Sequence, residues 1–184
     1  MSKNNKKRSR TGAAAIVLAY ILVITFVAVL AQIYLFSPMR VIGDSMNPAF
    51  DNHDIIIVSK IAYEKGEPER FDVAVFDYRY DTDTKYIKRI IGLPGETVEI
   101  KNNSIYINSE ELKEYYGVYD EDKHLEDYPA YTLKSDEYFV LGDNRDHSVD
   151  SRSGDVGAVN KSMLVGRAVF RIWPFDAIGS LKYQ

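Results

Sequence analysis

Two side chains in this sequence have the types and settings that nucleophilic catalysis requires. Ser45 stands between Gly43 and Pro48 on a predicted tight turn, and Lys88 lies in a later apolar strand. A serine hydroxyl is a poor nucleophile at neutral pH unless a base lies beside it, and a lysine amine is that base only when burial keeps it uncharged. A Ser-Lys pair is a known variant of the serine-nucleophile arrangement. If the two side chains meet in space, the chain is a hydrolase.

The turn at Ser45 suits catalysis but does not prove it. Gly43 and Pro48 favour a sharp turn that exposes the hydroxyl and leaves backbone N–H groups free to bind the oxyanion of a tetrahedral intermediate. Taken alone, this stretch is better explained as an ordinary polar loop, because short motifs often match by chance.

Strand alternation directs Lys88 and Arg89 to opposite faces, and both faces carry apolar neighbours. The pattern therefore does not decide which of the two points inward, and a solvent-facing Lys88 is the simpler alternative. Lys88 is preferred as the base because an arginine does not give up its proton in a protein.

A third stretch, residues 142–152, is dense in hydrogen-bonding side chains and follows an apolar strand. It is either a polar surface loop with internal Asp–Arg pairs of little energetic value or a support that fixes a neighbouring catalytic group.

Charge is distributed unevenly along the chain. Residues 1–12 carry five basic side chains and no acid, residues 13–39 carry no charge, and the chain from Arg40 onward has 18 basic and 27 acidic residues. This acidic body argues against nucleic-acid binding. The absence of cysteine excludes disulfides and thiolate metal sites, and three histidines without ligand spacing (His53, His124 and His147) predict no metal. We expect no cofactor.

The apolar run at residues 13–36 predicts a membrane anchor, because 24 helical residues cross a hydrocarbon core of roughly 30 Å. A cleavable signal peptide ending near Ala31 is the alternative. The basic tail at residues 1–12 predicts a cytoplasmic N-terminus, which puts the catalytic domain, residues 37–184, outside the cell membrane.

The body of the chain predicts a mainly β, antiparallel fold. Short β-branched and aromatic runs bounded by turn residues predict strands at residues 54–59, 71–76, 86–91, 97–100, 104–108, 138–141 and 164–172. Residues 109–137 differ in being rich in acids and tyrosines. We interpret them as an inserted excursion, a small cap of short strands whose acidity forms a solvated face.

In this order behind an anchor, these stretches resemble the type I signal peptidases of bacteria, in particular the Gram-positive members. The matching stretches are residues 43–48, 54–60, 85–96 and 142–152, and residues 109–137 are the least similar part. The resemblance implies a serine endopeptidase with a Ser-Lys dyad. Its partners would be the bilayer and secretory preproteins, which it would cleave after small residues in an Ala-x-Ala pattern.

By position, the resemblance implies that Ser45 is the nucleophile, that Lys88 is the general base and that Ser148 hydrogen-bonds and orients the amine. It also implies a supporting network formed by Arg89, Asp143, Arg145, Asp150 and Arg152. The Ser45 N–H would be one oxyanion donor. Gly43 replaces a serine that supplies the second donor in some members, so a second donor is unassigned. The implied shallow substrate pocket consists of Val41, Ile42, Met46, Tyr86 and Ile87.

The late run at residues 170–175 has two interpretations: an apolar surface in the membrane interface, or a last strand packed in the core. Three other functions stay open. They are a self-cleaving Ser-Lys protease similar to the SOS-response repressors, a non-enzymatic anchored β domain, and a Ser-His hydrolase using His53 or His147.

Overall fold

The computed structural model describes residues 3–118 and 125–180, with side chains described from residue 13 onward except residues 31–33. The chain forms two compact units, Met1–Ser37 and Pro38–Gln184. Three parts of the sequence-based interpretation lie outside the described residues: positions 1–2 of the basic tail, positions 119–124 of the excursion, which include His124, and positions 181–184 of the predicted catalytic domain.

The first unit is almost entirely helix α1, Lys3–Leu35. Its segment Ala13–Leu30 has a mean hydropathy of 2.9 and is long and apolar enough to cross a membrane. The helix ends one residue earlier than predicted, and Phe36 begins strand β1 instead. A proline disfavours the helical conformation at the residue before it, so the helix does not continue through Ser37 to Pro38.

The second unit consists of short strands. They are β1 (Phe36–Arg40), β2 (Ile55–Ser59), β3 (Val73–Tyr78), β4 (Asp81–Gly92), β5 (Thr97–Lys101), β6 (Ser104–Ile107), β7 (Glu110–Glu111), β8 (Tyr128–Thr132), β9 (Glu137–Leu141), β10 (Val159–Asn160), β11 (Leu164–Trp173) and β12 (Gly179–Ser180). A short helix α2 (Ile61–Lys65) and two 3-10 turns (Lys161–Met163 and Phe175–Ala177) complete it. Each predicted strand is present with shifted ends, which confirms the mainly antiparallel β fold.

The strands form two sheets. The larger has the order β1-β2-β11-β3-β4-β9-β10, with β12 also paired to β11, and the smaller has the order β7-β6-β5-β8. In the larger sheet, β4 and β9 run antiparallel with Arg89 opposite Leu141. This register brings the loop that follows β9 level with Lys88. The three elements that matter for the site are therefore β4, this loop and the turn after β1.

The predicted excursion is part of the smaller sheet. Its strands β7 and β8 pair with β6 and β5, and its Leu125 and Leu133 are buried in the core against those strands. Most of its described acidic side chains are exposed, but Glu137 is not. Glu137 is 5% exposed and accepts hydrogen bonds from Lys134 and Tyr131. A carboxylate that has such partners is tolerated inside a protein.

Candidate active site

The structure brings Ser45 and Lys88 into direct contact. Lys88 Nζ lies 2.7 Å from Ser45 Oγ and donates a second hydrogen bond of 2.9 Å to the carbonyl of Ile87. Lys88 is only 5% exposed. Burial lowers the pKa of its amine from 10.5 to about 8, against the opposing effect of two nearby carboxylates, Asp150 and Asp143. A substantial fraction of the amine is therefore neutral near pH 8 and able to take a proton from the serine.

Both basic residues of the pair in β4 are buried, so neither is the solvent-facing strand residue that the alternation allowed. Arg89 is 3% exposed and makes a bidentate ion pair with Asp143 at 2.8 and 2.6 Å. Its remaining nitrogen donates to the carbonyl of Phe71. Alternation thus directs Lys88 to the serine and Arg89 to a buried carboxylate.

Two side chains that are buried in the core anchor the turn that carries Ser45. Met46 and Phe50 are 0% and 1% exposed, and they pack against β2 and β3. Gly43 adopts φ 90°, a conformation that favours glycine. Because the anchors point into the core, the Ser45 side chain is left on the opposite, accessible side.

The backbone of the turn bears on the oxyanion donors. Among the described residues, the Ser45 N–H has no acceptor, so it is free to bind an oxyanion. The Gly43 N–H already donates to Asn52 Oδ1 at 3.1 Å. Gly43 therefore supplies neither a side-chain donor nor a free amide, and the second donor is still unassigned.

Ser148 lies close to the dyad but does not make the expected bond. Its Oγ is buried without a hydrogen-bond partner, and Lys88 uses the Ile87 carbonyl instead. A Cβ built on Gly142 would lie 2.2 Å from Ser148 Oγ and 2.4 Å from the carbonyl oxygen of Ser45. Gly142 thus lets the loop and the serine turn approach more closely than any side chain would allow.

Three of the five implied supporting residues form a ring beside the backbone of Gly142. Its N–H donates to Asp150 Oδ2 at 3.0 Å, and its carbonyl accepts from Arg145 Nε at 3.0 Å. Arg152 closes the ring by donating to Asp150 Oδ1 and to the carbonyl of Arg145. Two residues after Gly142, the Asn144 N–H donates to the carbonyl of Ser45 at 3.1 Å. The loop therefore supports the nucleophile turn directly.

An open groove of about 340 Å³ runs beside the dyad. Four of the five implied pocket residues line it; they are Val41, Ile42, Tyr86 and Ile87. Met46 does not, because its side chain is completely buried in the core below the turn. The expectation that Met46 contributes to the pocket was therefore wrong. His147 and Val149, which the sequence did not suggest, also line the groove.

The structure disfavours a Ser-His arrangement. The hydrogen-bond partner of Ser45 Oγ is Lys88, although His147 lines the same groove. His53 lies in the turn before β2, where its backbone N–H donates to the carbonyl of Val41.

Sequence reasoning missed two residues that support the site. Glu114 pairs with the buried guanidinium of Arg145, and nothing in its acidic surroundings distinguishes it. Arg171 pairs with Asp54 at 3.0 Å and donates to the carbonyl of Ala49 in the serine turn. The sequence did offer a signal for Arg171, because it is a charged residue within the apolar run of β11.

Fold and site together are those of a serine hydrolase whose serine lies beside a buried lysine on an antiparallel β framework. A family model described as signal peptidase, peptidase S26, matches residues 13–173. The chain is 36% identical over 181 residues to signal peptidase I S of Bacillus subtilis, covering 94% of each chain. It is 35% identical over 159 residues to signal peptidase IB of Staphylococcus aureus, covering 78% of this chain and 81% of that protein. A crystal structure of a signal peptidase I from Enterococcus faecalis aligns with a TM-score of 0.49 at 34% identity, covering 55% of this chain and 96% of that one.

The chain therefore belongs to the signal peptidase family, peptidase S26. It is a membrane-associated serine endopeptidase that removes signal peptides from secretory preproteins.

Proposed function

We propose that Ser45 is the nucleophile of this signal peptidase and that Lys88 is its general base. The observation that carries the proposal is the 2.7 Å contact between Ser45 Oγ and the Nζ of a 5% exposed lysine. Neutral Lys88 takes the hydroxyl proton as Oγ bonds to the scissile carbonyl carbon, and the Ser45 N–H binds the resulting oxyanion.

The same lysine serves the later steps. Its ammonium gives the proton to the leaving amine, which becomes the new N-terminus of the secreted protein, and an acyl-enzyme on Ser45 remains. Lys88 then takes a proton from a water that attacks the acyl carbon, and returns it to Ser45 Oγ as the ester breaks. Each step leaves the protons balanced and uses no other acid or base.

Ser148 is the third partner that we propose for the ammonium. A protonated amine has three donors, and Ser45 and the Ile87 carbonyl account for two of them. Ser148 Oγ is buried, unpartnered and packed on Gly142 next to the serine turn. We infer that it accepts the third bond from the ammonium.

The groove supports a preference for small substrate side chains in an Ala-x-Ala pattern. Its lining includes the apolar or aromatic residues Val41, Tyr86 and Ile87, and Ile87 directly precedes Lys88. A shallow apolar surface favours small apolar side chains because they are desolvated there without leaving a cavity.

We propose residues 13–36 as the anchor, with the basic tail at residues 1–12 in the cytoplasm and residues 37–184 on the outer side. An apolar patch on the second unit supports membrane contact by this domain. It consists of Phe170, Trp173, Phe175 and Ile178, whose exposures are 38%, 45%, 73% and 48%. Trp173 and Phe175 are in edge contact, and such aromatic residues favour the membrane interface.

Replacing either member of the dyad tests the proposal. Ser45→Ala and Lys88→Ala, assayed on a preprotein in detergent, are each expected to reduce cleavage by roughly 1,000-fold or more, because the nucleophile or its base is lost. Lys101→Ala is the matched control, since Lys101 lies in strand β5 outside the groove and pairs with Glu99 near the surface. Substantial cleavage by Lys88→Ala would remove the dyad from the mechanism.

A further inference from the structure

We propose that residues 114–118 are a positioning segment of the active site. Glu114 and Tyr116 hold the two buried arginines, Arg145 and Arg89, whose partners belong to the loop at residues 142–152. The inference rests on the proposed dyad of Ser45 and Lys88, because it concerns how the loop supports these two side chains.

The first contact is an ion pair at the end of Arg145. This side chain is 0% exposed, and both of its terminal nitrogens donate to the Glu114 carboxylate, one of them at 2.7 Å. Its Nε donates to the Gly142 carbonyl. Glu114 is therefore the counter-ion of a guanidinium that is hydrogen-bonded to the loop backbone, and its side chain is 12% exposed. Removing one partner of a buried pair leaves an uncompensated charge, which is strongly unfavourable.

The second contact is a ring stacked on Arg89. The Tyr116 ring centroid lies 3.8 Å from Arg89 Cζ, and Phe71 packs against the same ring at 5.3 Å. Arg89 is the residue that binds Asp143 at the start of the loop. Tyr116 thus covers one face of the guanidinium while Asp143 binds its edge, an arrangement that arginine favours.

The backbone of the segment is also joined to the loop. The Val118 N–H donates to the Asp143 carbonyl at 2.8 Å, and the Arg145 N–H donates to the Val118 carbonyl at 3.0 Å. A Cβ on Gly117 would lie 2.5 Å from Arg145 Cζ, so the chain passes directly over the guanidinium. Side-chain and backbone contacts therefore fix the same three residues of the loop, Asp143, Asn144 and Arg145.

These loop residues are the ones that contact the nucleophile turn. Asn144 N–H donates to the Ser45 carbonyl, and Gly142 packs against the same carbonyl and Ser148 Oγ. The groove that receives the substrate is lined mainly by residues of β1, the serine turn and β4, and its two residues from the loop, His147 and Val149, lie beyond Asp143, Asn144 and Arg145. Loosening the segment therefore displaces the catalytic groups and leaves the substrate pocket in place. Loosening the segment is therefore expected to lower kcat more than it changes KM.

Two substitutions with matched controls test this in the full-length enzyme in detergent. Glu114→Gln and Tyr116→Leu are each expected to lower kcat roughly 10- to 100-fold with KM changed less than about twofold, because misplacing catalytic groups by about 1 Å has that effect. Tyr116→Phe keeps the ring over Arg89 and is expected to retain the wild-type kcat. Tyr115→Leu, which alters a neighbouring tyrosine that is 91% exposed, and Glu110→Gln, on exposed β7, are the controls.

Three outcomes overturn the inference: an unchanged kcat in Glu114→Gln, an effect confined to KM, or an equal loss in Tyr115→Leu. If Tyr116→Leu fails to fold, Glu114→Gln decides the question because it preserves the side-chain volume. Ser45→Ala in the same assay separates the two proposals. Residual activity there contradicts the dyad, whereas an inactive Ser45→Ala beside a fully active Glu114→Gln contradicts the positioning segment alone.

Discussion

At the scale of the residue, the account depends on a lysine whose pKa is lowered by burial. Lys88 has an apolar surrounding, one serine partner and one carbonyl partner, and Asp143 and Asp150 are engaged by arginines. This arrangement lowers the pKa of Lys88 to about 8 without an adjacent positive charge. The same burial that makes Lys88 a base makes it unfavourable for folding when it is protonated.

The stability of Lys88→Met reports this conflict directly. The pKa of Lys88 falls from 10.5 to about 8 on folding, so the unfolded chain binds more protons between these values and stability rises with pH there. Below pH 8 the protonated amine disfavours the folded state by about 3 kcal/mol. We expect Lys88→Met to raise the free energy of unfolding at pH 7 by roughly 1–3 kcal/mol, with the gain shrinking toward pH 10.5. Denaturant titrations at both pH values measure it.

Lys85→Met is the control for that measurement, since Lys85 is paired with Asp77 near the surface. A gain in Lys88→Met that does not shrink as the pH rises would contradict the burial argument.

At the scale of the element, the sequence predicted the strands well and the side-chain contacts between elements less well. β-branched runs such as Ile55–Ser59 identify strands by local pattern alone. The side on which a turn residue points depends on turn dihedrals, which is why Met46 was assigned to the pocket and lies in the core. Glu114 was missed because its pairing with Arg145 spans 31 positions and leaves no local signal. The contact between Ser45 and Lys88 was anticipated because chemistry restricts which residue types are useful together and because both stretches resemble those of the family.

Gly142→Ala tests the packing of the loop on the serine turn. The added methyl group would lie 2.2 Å from Ser148 Oγ and 2.4 Å from the Ser45 carbonyl oxygen, so the loop and the turn are forced apart. We expect cleavage to fall roughly 100-fold and unfolding to become easier by about 1–3 kcal/mol. Initial rates on a preprotein and thermal unfolding measure the two effects.

Gly154→Ala is the matched control, because a Cβ at Gly154 would meet nothing within 4 Å. If both variants keep wild-type activity, the close approach at Gly142 has no catalytic role.

At the scale of the whole molecule, the chain combines a helix that is long and apolar enough to cross a membrane with a β unit that exposes apolar side chains of its own. A signal peptide keeps its apolar segment in the bilayer, so the bond to be cut emerges at the membrane surface. Tethering an enzyme near that surface raises its effective concentration toward the substrate. The exposed side chains of Phe170, Trp173, Phe175 and Ile178 offer the apolar area for the membrane contact that we propose for this domain.

Weakening the patch separates membrane contact from chemistry. Phe175→Ser combined with Ile178→Ser is expected to slow cleavage of a preprotein in liposomes roughly two- to tenfold, because apolar area buried in the interface is lost. Cleavage of a short soluble peptide in detergent should be unchanged. Tyr115→Ser, at another highly exposed aromatic residue, serves as the control. Equal losses in both assays would show that the patch acts on the fold of the domain instead.

The identity of the base is the central claim, and the pH dependence of kcat/KM tests it most directly, because this ratio reports the ionisation of the free enzyme. Burial of Lys88 predicts activity that rises with pH through about 8 and then levels off, with the same profile in His147→Ala. A rise centred near the ordinary histidine pKa of about 6.5 that disappears in His147→Ala would contradict the account and assign the base to His147.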